Sequence, residues 1–508
     1  MTEFRAPTED ILFSLNHVAD AGAIDGWDSA LAEDILGHFA RFAEGVIAPL
    51  NSIGDIQHAQ LIKGRVRMPD GFAAAYAQMA ADGWQGLVAP ERFGGMEAPA
   101  LLAAAVSEVF SGANHAMQMV CNLVPGAIAT LLTFGSEAQQ SEWIPKLANG
   151  TALSTMCITE PQAGSDLSAI RCKAVHGPDG WRIAGEKSFL SGGDQDMSAE
   201  ILHLVLARTD ESKSGLDGLS LFLCPAQSAV TVTRLEDKMG LHASPTCQML
   251  FDGATADLIG TKGNGLRAMF TLMNHARLDV ALQGVAHAAR AAHIASTYAA
   301  ERTQGRHPNK TPALLHDHAD VKRMLDDQQR LAFGARAMCH ITLVALERGD
   351  SPELCAFLTP LCKIFGSEAG IKAADLGIQI LGGYGYLREY GMEQIWRDAR
   401  ICAIYEGANG IHARSIATRG LRSDGGAGAF ADLITQLADG SKTVLGRLSE
   451  WQTRCRKMTE IPDPLPLAHA FAHETADLFF AAVWVRIHAV ADRHPTPDTL
   501  RHLAQAVI

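Results

Sequence analysis

Between about residue 28 and residue 150 apolar residues recur at three- and four-residue steps, most clearly Ile35, Phe39, Phe42, Val46 and Leu50. That spacing puts them on one face of a helix, so residues 1–152 are expected to form an N-terminal α-helical domain. Near residue 153 the period shortens. Ile170, Cys172 and Ala174 alternate with Arg171 and Lys173, GPDG at 177–180 is a turn signal, and the short apolar runs ILHLVLA (201–207) and LSLFLC (219–224) follow. Residues 153–262 are therefore expected to form a compact β domain. From about 264 the helical period returns in long segments, broken by a Pro-containing stretch at 306–312 and ending near 422. SDGGAGA (423–429) has the composition of a flexible hinge, and the Ala- and Leu-rich stretch to residue 508, with Pro462, Pro464 and Pro466, is expected to be a separate helical appendage. Helices, then strands, then helices predict a mainly α protein with a central β domain, a β layer between helical bundles rather than a doubly wound sheet.

Length changes this picture little: 508 residues, 47% of them hydrophobic, suit about three domains. Charge narrows the partners. With 43 Lys plus Arg against 56 Asp plus Glu, the formal net charge is −13, which disfavours nucleic acid and anionic membrane surfaces. The ten cysteines are scattered without a C-x-x-C pair, as expected of reduced thiols in a cytoplasmic protein. The N-terminus MTEFRAPTEDILF carries Glu3, Glu9 and Asp10 where a secretory signal needs basic and then apolar residues, and no uninterrupted apolar run approaches membrane-span length. A soluble protein without membrane insertion is expected.

Three segments carry candidate chemistry. CITEPQAGSDLSA (157–169) joins a strand end to a loop in which backbone N–H groups, Thr159 and Ser165 are able to face one ligand, although such residues also simply make turns. KSFLSGG (187–193) places Phe189 and Ser191 two apart, on one face if this is a strand, offering a ring to stack and a hydroxyl to donate; an aromatic there is also an ordinary core residue. In QILGGYGYLREYGMEQIWRDARICAIYEGANGI (379–411), Glu406 follows the apolar run ICAIY. Its carboxylate is either desolvated, with a raised pKa suited to a base, or solvated at a helix end.

Together these segments resemble signatures of the acyl-CoA dehydrogenase family, and the resemblance covers most of residues 1–422. Ile158, Thr159, Glu160, Ala163, Gly164, Ser165 and Asp166 match the first motif. Gln379, Gly382, Gly383, Gly385, Glu389 and Asp398 match the second, with Gln394 where a basic residue is usual. APLNSIGD, HLVLAR, FDGATADLIG and MNHARLDVALQG look most like the branch containing 3-methylthiopropanoyl-CoA dehydrogenase. The resemblance implies a β-barrel middle domain and a C-terminal four-helix bundle over 263–422. It also implies FAD as cofactor, an acyl-CoA substrate, no metal, a homodimer or homotetramer, and an electron-transfer flavoprotein as electron acceptor. Carried over by position, Thr159, Ser165, Phe189 and Ser191 hold the flavin, Arg302 reaches the FAD diphosphate of a neighbouring subunit, and Gln379 and Gly383 hold the adenosine end. Ser165, Arg277 and Gly407 contact substrate, and Glu406 is the base, since some relatives carry theirs just before the equivalent of Arg277, where this chain has Ala276. The implied reaction removes the α-proton to Glu406 and the β-hydride to flavin N5, giving a trans-2-enoyl-CoA.

Rival readings are thinner. GNGLRA (263–268) fits a dinucleotide fingerprint, but a long helix follows where a second strand and a distal acid are required. Twenty histidines, including His316 and His318 around Asp317, form no H-E-x-x-H pattern, and Ser367 in FGSEAG is not in a Gly-x-Ser-x-Gly turn. Within the same fold, an acyl-CoA oxidase that uses O2 and a noncatalytic flavin-containing binding protein stay open as alternatives.

Overall fold

The computed structural model describes residues 2–210, 215–422 and 424–508, leaving aside the side chains of 271–275. The chain divides into two compact units that interleave in sequence: Met1–Gly45 with Pro99–Ala113 and Arg277–Ile508, and Val46–Ala98 with Asn114–Ala276.

The second unit is built on a barrel. Strands β3 (Ala152–Cys157), β4 (Lys173–Gly177), β5 (Gly180–Ser191), β6 (Glu200–Arg208), β7 (Leu219–Pro225), β8 (Val230–Leu235) and β9 (Thr246–Ile259) form one sheet. Its order is β3-β6-β4-β5-β9-β7; β8 pairs with β9, and β6 pairs with β7 to close a ring. The 177–180 turn signal is the β4–β5 hairpin, with Gly177 opposite Gly180. Inward residues such as Ile183, Val205, Phe222 and Phe251 are fully buried in one cluster. The expected helical region is interrupted here by a hairpin, β1 (Gln60–Ile62) and β2 (Arg65–Arg67). Its Val66 joins the barrel core, and Asp194 accepts from Val66 N at 2.7 Å while pairing with Arg65 at 2.9 Å. The helix Glu137–Ala148 begins with a Ser136/Gln139 capping box, an N-terminal stop written in the sequence.

The first unit is helical. Along Ser29–Phe42 the expected Phe39 and Phe42 are buried together with Ala32 and Leu36, while Ile35 is half-buried; Val46 and Leu50, also half-buried, fall in the second unit. The Pro-containing break at 306–312 lies in the hairpin β10 (Thr303–Arg306) and β11 (Pro312–Leu314). Helices Gly265–Glu301 and Pro352–Leu381 meet backbone to backbone: a Cβ on Gly284 would lie 2.1 Å from Gly366 O, and one on Gly370 2.5 Å from Gly284 O. Only glycine permits that approach. Pro352–Leu381 belongs to a segment long and apolar enough to cross a membrane, but 78% of its apolar window is buried inside the protein, as in a core helix.

The expected hinge and appendage are different in the structure. Ser423 lies outside the described residues, but Gly426 is packed so tightly that a Cβ would lie 2.2 Å from Glu353 O and 2.5 Å from Phe357 Cβ. Phe430 then packs tilted against Phe357 (5.2 Å) and edge-on against Trp451 (5.0 Å), and the helix Ala468–Val490 buries Phe471, Phe479 and Trp484. Glycine served close packing here rather than flexibility, so the C-terminal helices share the core of the first unit. Among the ten cysteines, all free, nine are buried and Cys455 is half-buried.

Candidate active site

In the barrel unit the first two motif segments are tied together by a buried ion pair. Lys187, fully buried on β5, donates to Glu160 Oε1 at 2.8 Å and to Ile158 O at 2.9 Å. Glu160 also accepts from Arg171 N, Cys172 N and Gln162 Nε2. Burial alone would raise its pKa, but the Lys187 charge and these donors outweigh it and hold the carboxyl below its usual range. Ser188 N donates to Thr159 O at 2.9 Å, which sets half-buried Thr159 against the strand carrying Phe189; Ser165 lies exposed on the same loop.

Strand alternation fails at Phe189. The β5–β9 register shifts between Lys187 and Leu190, and Phe189 takes a left-handed φ of 60°. The bulge turns the ring out, 63% exposed, between buried Ser188 and Leu190, while Ser191 stays half-buried. The alternative of a core aromatic is thereby excluded. A large ring held outward at a strained backbone position is a stacking platform, which fits a flavin.

The first unit holds the remaining residues. Arg302 is exposed with its guanidinium 5.6 Å from the Tyr384 ring, Gln379 is exposed on the last turn of Pro352–Leu381, and open space surrounds the position a Gly383 Cβ would take. A cation beside an aromatic ring and an uncovered glycine loop fit the phosphate and adenosine portions of a dinucleotide.

Glu406 also has a left-handed backbone, φ 52°, which is uncommon outside glycine and gathers at functional positions. The residue is half-buried, but its Oε2 is enclosed and has no hydrogen-bond partner. Burial pushes the carboxyl up to about 7, opposed by the charges of Arg277 and Lys363 and assisted by Asp279. Of the two alternatives the sequence left for Glu406, the desolvated one is present. Arg277 is half-buried, and burial pulls its guanidinium below the usual value against the Glu406 charge. The Glu406 N–H makes no hydrogen bond to the described residues.

Two buried side chains grip the carbonyls of this turn. Lys363 Nζ donates to Gly407 O at 2.7 Å and to Asn409 Oδ1 at 2.9 Å, and burial lowers its pKa to about 8. His412, which burial holds neutral at about 3, faces Glu406 O through Nε2 at 3.1 Å. Gly407 has φ 95°, and a Cβ there would lie 2.8 Å from His412 Nε2. On the preceding side, the Tyr405 hydroxyl donates to Gln283 Oε1, and Gln283 Nε2 donates to Asp279 at 2.8 Å. Gln394, which stands where a basic residue is usual, is buried and donates to Asp398 at 3.4 Å. Lys363 and His412 were not singled out in the sequence. A lone lysine inside the apolar stretch TPLCKIFG was the available signal, because a lysine that deep is almost always paired.

Sequence models of the acyl-CoA dehydrogenase N-terminal, middle and C-terminal domains match residues 32–151, 155–254 and 263–421. A 3-methylmercaptopropionyl-CoA dehydrogenase of Ruegeria pomeroyi is 39% identical over 85% of this chain and 79% of its own length. A broad-specificity linear acyl-CoA dehydrogenase of Mycobacterium tuberculosis, FadE5, is 32% identical over 86% and 78%. Among solved structures, one described as the electron transferring flavoprotein of Acidaminococcus fermentans has a TM-score of 0.70 at 26% identity, over 79% of this chain and all of that one. At 20% identity the Caenorhabditis elegans ACDH-11 complex with C11-CoA shares the fold, with a TM-score of 0.81 over 99% of this chain and 91% of that one. On three domain models in succession and a relative of this identity and coverage, the chain belongs to the acyl-CoA dehydrogenase family and catalyses FAD-dependent dehydrogenation of acyl-CoA thioesters.

Proposed function

We propose that Glu406 is the base that takes the α-proton of the acyl thioester. The observation that carries this is its enclosed, unpartnered Oε2 on a carboxyl raised to about 7. Desolvation makes a carboxylate a stronger base than it is in water, and a pKa near working pH suits proton transfer. Lys363 and His412 fix the turn by its two carbonyls, so the carboxylate does not swing away, and Arg277 and Lys363 hold part of the population ionised. The Glu406 N–H is the chain's own donor for the thioester oxygen, where negative charge develops as the proton leaves. FAD would supply the acceptor for the β-hydride; Thr159, Ser165, Phe189 and Ser191 of the second unit would hold its flavin, and Arg302, Gln379 and Gly383 of the first unit an FAD diphosphate and adenosine end. Ser165 and Gly407 complete the substrate contacts.

The 39% identical Ruegeria pomeroyi relative supports 3-methylthiopropanoyl-CoA or another short or medium acyl-CoA as substrate. The Acidaminococcus fermentans neighbour supports an electron-transfer flavoprotein as acceptor. Exposed Tyr386 and Leu387, beside the Gly383 turn, support a homo-oligomer in which Arg302 serves a neighbouring subunit's FAD, and the free cysteines support a cytoplasmic site. Glu406→Gln should keep FAD and lose at least roughly 100-fold in kcat, the low end for a general base. A flavin-loaded variant with near-normal turnover would remove Glu406 from this role.

A further inference from the structure

Helix Ala468–Val490 lies beyond the residues matched by the three family domains, yet one of its side chains reaches the Glu406 turn through polar groups. His473 Nε2 lies 2.8 Å from Glu368 Oε2, and the other oxygen, Oε1, accepts from Asn409 Nδ2 at 2.9 Å. Asn409 Oδ1 accepts from Lys363 Nζ at 2.9 Å, and the same Nζ holds Gly407 O at 2.7 Å. We propose that His473 is a positioning residue for Glu406, acting through Glu368, Asn409 and Lys363 to hold the catalytic turn. This rests on the reading of Glu406 as the base.

The chemistry of each link fixes the next. A carboxylate only accepts and an ammonium only donates. Asn409, placed between them, is therefore locked with its NH2 toward Glu368 and its oxygen toward Lys363. His473 is oriented in the same way: Nδ1 faces His469 O at 2.8 Å and Nε2 faces Glu368, so both ring nitrogens meet acceptors. Only the imidazolium satisfies both. Burial lowers the pKa of His473, but the His469 carbonyl and Glu368 outweigh it and the net shift is upward. The other titratable groups facing His473 are on its own helix: the His469 ring, 4.1 Å away, and Asp477, which in turn feels Arg447. Without His473, Glu368 is free to turn toward water, Asn409 keeps Lys363 and Ser367 but loses its carboxylate acceptor, and the ammonium that lowers the Glu406 pKa is held less firmly.

The test uses the flavin-loaded full chain with His473→Ala, Glu368→Ala, the double variant, and Glu406→Gln as control. Each single variant should lower kcat about three- to tenfold, the range of one lost hydrogen bond, with KM within about twofold and the acid limb of the kcat/KM pH profile moved upward. The double variant should be no worse than the weaker single, as for residues on one path. Should His473→Ala lose its fold by circular dichroism, His473→Gln carries the test. It keeps a donor for Glu368 and should give a kcat between wild type and Glu368→Ala. Unchanged kcat and acid limb in folded single variants, or losses that multiply in the double, would overturn the inference. An inactive Glu406→Gln beside a normal His473→Ala removes His473 alone, whereas an active Glu406→Gln removes the reading on which it rests.

Discussion

Lys187→Met removes one half of the buried pair that joins segments 157–169 and 187–193. Lys187 is fully buried and Glu160 is 3% exposed, so solvent does not replace the lost partner. Breaking such a pair costs about 3–5 kcal/mol, mostly from the charge left behind. Glu160 keeps Arg171 N, Cys172 N and Gln162 Nε2 as donors, which places the cost near the low end, about 3 kcal/mol. Hydrogen exchange resolved by mass spectrometry reads this locally: amides of 153–191 should exchange about 100-fold faster, since roughly 1.4 kcal/mol is a factor of ten. FAD should dissociate faster too, because Thr159 and Phe189 lose their common anchor. Acidification adds a second readout. Glu160 is held below its ordinary pKa, so its contribution is present above the unfolded value and is lost as pH falls through the folded one. With Lys187 gone that depression shrinks, and the loss begins at higher pH. Exchange within about threefold of wild type would refute the reasoning, as it would mean the pair holds less than 1 kcal/mol.

In a pH profile, kcat/KM should climb as pH rises through about 7 and level off above it, because the raised Glu406 carboxyl must lose its proton to act; a flat profile over that range contradicts the assignment. Gly407→Ala brings a Cβ to 2.8 Å from His412 Nε2 at φ 95°, and kcat should fall about 10- to 100-fold, equivalent to 1–3 kcal/mol of backbone strain, with stability read in parallel by thermal melting. Phe189→Ala should raise the FAD dissociation constant about two- to tenfold in a flavin fluorescence titration, the worth of one aromatic stack. The same variant should change apoprotein stability by no more than about 0.5 kcal/mol, since the ring is 63% exposed.

The helix–strand–helix order and the family motifs were legible because periodicity and short-range turn chemistry write them locally. Glu406 was legible as a candidate, but its environment was not: the groups that grip the carbonyls of its turn, Lys363 and His412, come from 43 and six positions away. Phe189 shows the limit of alternation, since a bulge opposite β9 is a property of the pair of strands and leaves no mark in KSFLSGG. The glycines of 423–429 misled for a related reason. Gly426 is there because Glu353 O and Phe357 leave no room for a Cβ, and both belong to a helix that the hinge composition does not mention. The hairpin at 60–67 lay in a helical stretch, and it is held by Asp194, more than a hundred residues downstream.

The central claim is that this chain removes an α-proton through Glu406, and anaerobic single turnover tests it most directly. Flavin-loaded wild type and Glu406→Gln are mixed without oxygen with short, medium, branched and methylthio acyl-CoAs while the visible flavin absorption is followed. Wild-type flavin should bleach with one acyl class and Glu406→Gln should bleach at least roughly 100-fold more slowly with the same thioester. Equal bleaching by both proteins, or none by wild type with any thioester, would contradict the account.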